Sequence, residues 1–146
     1  MSLTSSTTTV EQRELSFSTR GPGLYDITAD VRAVVRASGV LAGLCNVFVL
    51  HTSASLLVQE NASPAVRNDL QRWIAKLAPE DATAYEHADE GPDDMPAHLR
   101  SAMTRTGETL PVVKRDLLLG TWQALYLWEH RRAPSQRRVM VTVLGA

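Results

Sequence analysis

His87 and His98 stand eleven positions apart and bracket Asp89-Glu90-Gly91-Pro92-Asp93-Asp94-Met95-Pro96. Imidazole in such company suits metal binding or acid–base chemistry, because its charge changes near neutral pH and its neutral nitrogen is a good ligand. A chain that folds back at Gly91-Pro92 brings both rings to one ion. His130, after Glu129 at the end of an apolar run, is the natural third ligand. Three protein ligands and an open position make a catalytic zinc site. Asp89, Asp93 and Asp94 either orient the histidines or hold Mg²⁺ together with a phosphorylated substrate. Asp94 also suits the cap of a helix starting at Met95. The competing reading makes these histidines loop residues bonded to neighbouring carboxylates.

Two more segments carry polar groups in unusual places. His51-Thr52-Ser53 ends an apolar run, and Glu60-Asn61 precedes a helix start at Ser63-Pro64. The serine and histidine lack the strand–elbow–helix context of a hydrolase nucleophile, so phosphate contact by Thr52 and Ser53 is the better use. Amides at the helix start also favour an anion. The competing readings are a strand end with turn hydroxyls, and turn or capping chemistry for Asn61. In Gly120-Thr121-Trp122-Gln123, continuing through Trp128-Glu129-His130-Arg131, alternation puts Trp122, Tyr126, Trp128 and His130 on one strand face. Gln123, Leu125, Leu127 and Glu129 take the other. If the leucines face the core, Gln123 and Glu129 are polar groups at its edge and need partners. If the aromatic face lines a cleft, it is a stacking wall for a planar ring. Arg131 is a candidate phosphate contact.

The elements that must position these groups fit one domain of 146 residues. A net charge of −1 leaves no basic field for nucleic acid and no polybasic membrane anchor. No apolar run reaches membrane-spanning length, and residues 1–9 lack the apolar core of a secretory signal, so a cytoplasmic location is expected. Residues 1–9 read as a disordered tail, and residues 10–146 as the domain. Cys45, the single cysteine, reads as a small core residue.

The pattern predicts a strand over 10–19, a turn at Gly21-Pro22-Gly23, and a helix over Thr28–Ser38 capped by Thr28 and stopped by Gly39. A central strand spans 44–51, and 55–58 either continues it or pairs back on it. A second helix from Pro64 presents Val66, Leu70, Trp73, Ile74 and Leu77 to the core. A polar connection, 78–94, leads to a short helix over Met95–Thr104 with Leu99 and Met103 inward. Strands follow at 108–113, 117–119, 121–129 and 137–144, and Pro111 argues for an edge strand. Without crossover helices in the second half, pairing there is antiparallel. The result is an α+β fold with an antiparallel, sandwich-like β core and a few flanking helices.

Taken together, His51-Thr52-Ser53-Ala54, Glu60-Asn61-Ala62, Asp69-Leu70, Gly91 through His98, and Leu119-Gly120-Thr121-Trp122-Gln123 followed by Glu129-His130-Arg131 resemble the YjbQ-like family, also called the secondary thiamine-phosphate synthase family. The resemblance spans residues 10–146. It implies a compact α+β fold, a homotrimer, and a histidine-containing polar site that holds a divalent metal. It also implies a weak thiamine-phosphate synthase reaction, which joins a pyrimidine diphosphate to a thiazole phosphate and releases pyrophosphate. Two positions depart from the family pattern: Gly107 replaces an expected serine, and Arg115 replaces an expected glycine. Glycine at 115 would mean a turn with positive φ.

Three functions follow as expectations. In the synthase, Asp93 or Asp94 holds Mg²⁺, and Thr52, Ser53, Gln123 and Arg131 contact the phosphorylated substrate, with Trp122 as the stacking wall. His51 moves a proton or binds metal, and Asn61 completes the catalytic set. In a zinc-dependent hydrolase, His87, His98 and His130 hold the ion, and Glu129 or Glu60 is the general base. In a non-catalytic module, the same cleft holds a metabolite.

Overall fold

The computed structural model describes residues 7–146, so most of the expected tail lies outside the described residues. Strand β1 (Thr9–Thr19) already includes Thr9. The chain continues as β2 (Gly23–Asp26), α1 (Thr28–Ser38), β3 (Ala42–Val49), β4 (Ala54–Glu60), α2 (Pro64–Leu77) and α3 (Asp94–Met103). It ends with β5 (Gly107–Val113), β6 (Asp116–Leu117), β7 (Gln123–Glu129) and β8 (Ser135–Gly145).

Two antiparallel sheets face each other, one ordered β1-β8-β3-β5-β6 and the other β2-β7-β4. Period-two alternation supplies the core between them. Cys45, Val47 and Val49 of β3 and Val139, Val141 and Val143 of β8 meet Leu56, Leu125 and Leu127 from the small sheet. Val31, Val34 and Val35 of α1 close one end of this core. Burial raises the Cys45 thiol to about 11, as suits an inert core residue. The outer face of the small sheet is covered by α2: Trp128 Nε1 donates to Gln71 Oε1 at 2.8 Å, and Arg67 lies 5.8 Å from the Tyr126 ring centre.

Several local expectations change. Residues 54–60 neither extend β3 nor pair with it; they cross to the other sheet and pair with β7 in the register Ala54↔Glu129 to Glu60↔Gln123. Strand β2 was not expected, because Pro22 and two glycines mask a four-residue edge strand. Asp26, not Thr28, caps α1: its Oδ1 accepts the Thr28 amide, while Thr28 Oγ1 accepts the Leu125 amide. Of the apolar face of α2 only Ile74 is fully buried, and Trp73 and Leu77 stay exposed, since the small sheet is narrower than the helix face. In α3 the buried residues are Asp94, Pro96, Ala97, Arg100 and Ser101, and Met103 is exposed. The helix is rotated so that its polar residues meet the sheet corners. Pro111 lies in β5, one strand in from β6, which pairs only with Val112 and Val113.

The β5–β6 turn has Lys114 at φ 52° and Arg115 at φ 64°. Two left-handed residues between paired Val113 and Asp116 make the tight hairpin that normally selects Asn-Gly. Arg115 therefore occupies a glycine conformation. At Gly107, a Cβ would lie 3.3 Å from the Phe48 ring, a tight contact that glycine relieves.

Candidate functional site

The chain passes between the two sheets twice at the same end of the sandwich, through residues 50–53 and through residues 130–134. Helix α3 is seated on this end, where Ser101 Oγ donates to the Ala54 carbonyl at 3.0 Å. The sequence segments around His51, Asp94 and Arg131 meet here.

Asp94 is the centre. It sits in the first turn of α3 and is 2% exposed. Its Oδ2 lies 2.6 Å from His87 Nε2 and 3.1 Å from His98 Nε2. His98 follows one turn later on the same helix, at the (i, i+4) spacing that places side chains over one another. Arg131 binds the other oxygen, Oδ1, through Nη1, and donates from Nε to Asp93 Oδ2 at 3.1 Å and from Nη2 to the Glu90 carbonyl at 3.0 Å. Burial opposes the charge on Asp94, but the His87 bond and the charges of His98 and Arg131 outweigh it and hold the carboxyl below its ordinary 3.8. Asp93 follows the same pattern: burial is outweighed by the Arg132 amide and by Arg131.

The hydrogen bonds fix the His98 tautomer. Its Nδ1 donates to the Thr52 carbonyl at 3.0 Å, so in the neutral ring Nε2 carries only a lone pair. That lone pair faces a carboxylate oxygen. Such a pair needs a positive charge between its members, either a proton or a metal ion. Ligand atoms of His87, Asp94 and His98 all lie within 4.8 Å of one another. Two imidazole nitrogens and one carboxylate oxygen, with Arg131 and Thr52 orienting them from outside, match the donor set and outer support of a borderline divalent ion such as zinc. Magnesium, which prefers oxygen and retained water, fits less well.

His130 is not part of this group, contrary to the sequence expectation. It is 1% exposed, and its Nε2 is 2.9 Å from Ser55 Oγ. Burial, and next the charge of Arg100, push its pKa down to about 3, so it is a neutral core residue. Strand β7 ends just before it, and the peptide turns its ring inward toward Trp128, 5.4 Å away between ring centres. The third group that could offer a ligand atom there is Asp94.

Glu129 is likewise a structural group. It is fully buried, its Oε1 accepts Arg137 Nε at 2.8 Å, and its Oε2 accepts the amides of His130 and Arg131. A carboxylate so engaged has no free lone pair aimed at a substrate. The Ser53 hydroxyl and carbonyl both accept from Arg137 Nη2, so Ser53 anchors the corner. Thr52 contributes its carbonyl to His98. Glu60 takes the Ser63 amide, with its Oε2 at 3.0 Å, and so caps α2 in place of the Ser63 side chain. His51 Nε2 accepts the Arg138 amide at 2.8 Å, which leaves the proton on Nδ1. Burial and the nearby Arg137 and Arg138 lower its pKa.

Trp122, Gln123 and Asn61 lie at the other end of β7. Gln123 and Glu129 are six residues apart along one strand, about 20 Å. Gln123 Oε1 accepts the Gly120 amide at 2.7 Å, Asn61 donates to the Gln123 carbonyl, and Trp122 is 65% exposed. Within one protomer these residues do not reach the Asp94 cluster. Asn61 and Gln123 line a separate cleft of about 970 Å³ with Arg32 and Arg36 of α1.

Arg137 was not singled out in the sequence. The available signal is its phase: it alternates with Val139, Val141 and Val143, all buried, so a charge is placed among core positions.

A family model described as UPF0047 protein YjbQ-like matches residues 13–146. A UPF0047 protein of Synechocystis sp. is 54% identical over 134 residues, covering 92% of this chain and 91% of its own. The UPF0047 protein YjbQ of Escherichia coli O157:H7 is 38% identical over 135 residues, covering 92% and 97%. A crystal structure of a YbjQ-like protein of unknown function from Sulfolobus solfataricus superposes with a TM-score of 0.88 at 27% identity, covering 96% of this chain and 100% of that one. A structure from Clostridium acetobutylicum superposes with a TM-score of 0.83 at 31% identity, covering 90% and 98%.

Proposed function

The chain belongs to the UPF0047 YjbQ-like family, and on that footing we propose that it is an enzyme whose His87–Asp94–His98 centre holds a divalent ion and acts on a phosphorylated small heterocycle. The observation that carries this reading is the His98 ring: its Nδ1 is committed to Thr52 and its Nε2 faces Asp94, with His87 on the same oxygen, an arrangement that a divalent ion would suit. When bound, a zinc-like ion with open positions supplies Lewis-acid stabilisation of a phosphate or of a departing pyrophosphate. Asp94 is held by Arg131, so it keeps one oxygen for the ion and stays charged. His51 is kept neutral and offers Nδ1–H as a donor beside the centre. This layout supports thiamine-phosphate-synthase-type joining of a pyrimidine diphosphate to a thiazole phosphate. It equally supports hydrolysis of a phosphate ester, in which the phosphate is released to water.

One assay separates the two. The zinc-loaded chain is given both synthase substrates, and joined product, pyrophosphate and orthophosphate are followed by chromatography. Joined product with equimolar pyrophosphate, lost in Asp94→Asn and His98→Ala, supports the synthase. Orthophosphate without joined product, lost in the same variants, supports the hydrolase. Turnover unaffected by both variants removes the centre from the reaction, and binding without turnover makes the chain a metabolite-binding module.

A homotrimer is proposed with it, supported by apolar side chains left exposed on two surfaces: Trp73 and Leu77 on α2, and Leu44 and Leu144 on the outer face of the large sheet. Sedimentation equilibrium of the chain and of Trp73→Ser and Leu44→Glu decides whether it associates and through which face.

A further inference from the structure

A groove of about 470 Å³ opens beside the Asp94 cluster, and His98 is its shared wall. One edge of that ring faces Asp94; the ring also lines the groove with His51, Thr52, Phe48 of β3 and Leu50 just after it. Ala102 of α3 lines it as well. Among the described residues, no Asp, Glu, Lys or Arg lines it. The charged residues of this end, Arg131, Arg137, Asp93 and Glu129, are all spent on one another or on the corner peptides.

A phosphate has no counter-charge in this groove, and neither an ammonium nor a carboxylate would find one there. Phe48 and Leu50 are 45% and 38% exposed, so a flat apolar group laid on them removes apolar surface from water. Resting on the metal-centre reading above, we infer that this groove takes the uncharged, planar part of the substrate while the phosphate is held at the His87–Asp94–His98 centre. The substrate class is then a neutral ring joined through a short link to a phosphate. Phe48, Leu50 and Ala102 set its specificity, and none of the three is a ligand-type residue of the centre.

The test uses two phosphonates with the same metal-binding head, methylphosphonate and benzylphosphonate, with 2-aminoethylphosphonate as the charged control. Each is titrated calorimetrically into the zinc-loaded chain and into Ala102→Trp, which fills the groove, and Phe48→Ala, which removes its floor. Zinc content is measured on every protein. Benzylphosphonate is expected to bind at least about tenfold more tightly than methylphosphonate, the order of gain from burying one ring. The aminoethyl compound is expected to show no gain over methyl. Both variants should lose the benzyl advantage while keeping zinc and methylphosphonate affinity. Equal affinities of the two phosphonates, or an advantage that survives both variants, overturns the groove assignment and leaves the metal reading standing. Failure of the wild-type chain to hold zinc or methylphosphonate overturns the metal reading, and the groove assignment falls with it.

Discussion

His98 donates its Nδ1 proton to the backbone carbonyl of Thr52 at 3.0 Å. The bond joins α3 to the corner between the two sheets, and it decides which nitrogen of His98 faces Asp94. The acceptor is a backbone carbonyl, so the tautomer of the neutral ring is set by the fold.

Metal affinity should therefore depend on residues the fold groups together. His98→Ala and Asp94→Asn each remove a ligand atom and should abolish tight zinc binding. Arg131→Ala leaves the ligands but frees Asp94 Oδ1, and a loss of about 10- to 100-fold is expected, as for other outer partners of metal ligands. His130→Leu should leave affinity nearly unchanged. Competition against a chromophoric chelator reads all four. If His130→Leu loses zinc while Asp94→Asn keeps it, the centre has been assigned to the wrong residues.

The buried Glu129–Arg137 pair should dominate the mutational sensitivity of this end. Glu129→Gln strands the Arg137 guanidinium and weakens the bonds to the His130 and Arg131 amides. The expected loss is about 3 kcal/mol, the usual result of breaking a buried pair by removing one partner. Burial works against the Glu129 charge, but the bonds from Arg137 and Thr19 outweigh it and keep the pKa below 4.5. That contribution is complete above pH 4.5 and is lost as pH falls through the lower folded value. Urea midpoints should fall in acid for the wild-type chain and fall less in that range for Glu129→Gln. Identical acid profiles would mean that the pair carries no such linkage.

His130 gives a second, separate pH window. The folded chain keeps the ring neutral down to about pH 3, whereas the unfolded chain takes up a proton near its ordinary value of 6.5. Between those values the unfolded state binds more protons, so stability decreases as pH drops from 6.5 toward 3. His130→Leu should flatten the profile between pH 6.5 and 5, a range in which Glu129 does not yet titrate. An unchanged slope there would show that His130 is accessible to protons in the folded chain.

The architecture was legible because its signals are local and periodic. The continuous apolar run at 44–51 and the alternating faces of 121–129 mark strands, and Gly39 stops α1 where the chain needs φ of 75°. The Asp94 cluster was legible as a dense polar run, and two of its three residues are the histidines singled out there. What failed was long-range pairing. Nothing local to Ala54–Glu60 says which sheet it joins, yet that crossing pairs Ala54 with Glu129 and Glu60 with Gln123, and so carries Asn61 to the opposite end of β7 from Ser53. His130 was misplaced for the same reason: spacing brings three histidines into the same half of the chain, and only the direction of the peptide after β7 turns one of them inward. Helix α2 carries an apolar face wider than its sheet, so periodicity marks Trp73 as core when it is exposed.

The turn at Lys114-Arg115 allows a stabilising change, and its logic runs through the backbone alone. Arg115 has φ 64°, where an L side chain is strained and glycine is not. Its amide donates to the Leu41 carbonyl at 3.0 Å, so this geometry is anchored and cannot relax elsewhere. Arg115→Gly should raise stability by about 1 kcal/mol, since the relief of strain exceeds the extra freedom glycine has when unfolded. Gly43 is the converse. It pairs with Gly145 across β3 and β8, and a Cβ there would sit 2.0 Å from the Leu144 carbonyl oxygen. No flexible side chain can yield, so Gly43→Ala must push two strands apart, with a loss of at least about 2 kcal/mol. Thermal and urea unfolding of the two variants should move in opposite directions. A loss of stability in Arg115→Gly, or a neutral Gly43→Ala, would mean that the hairpin or the β3–β8 register differs from the one described.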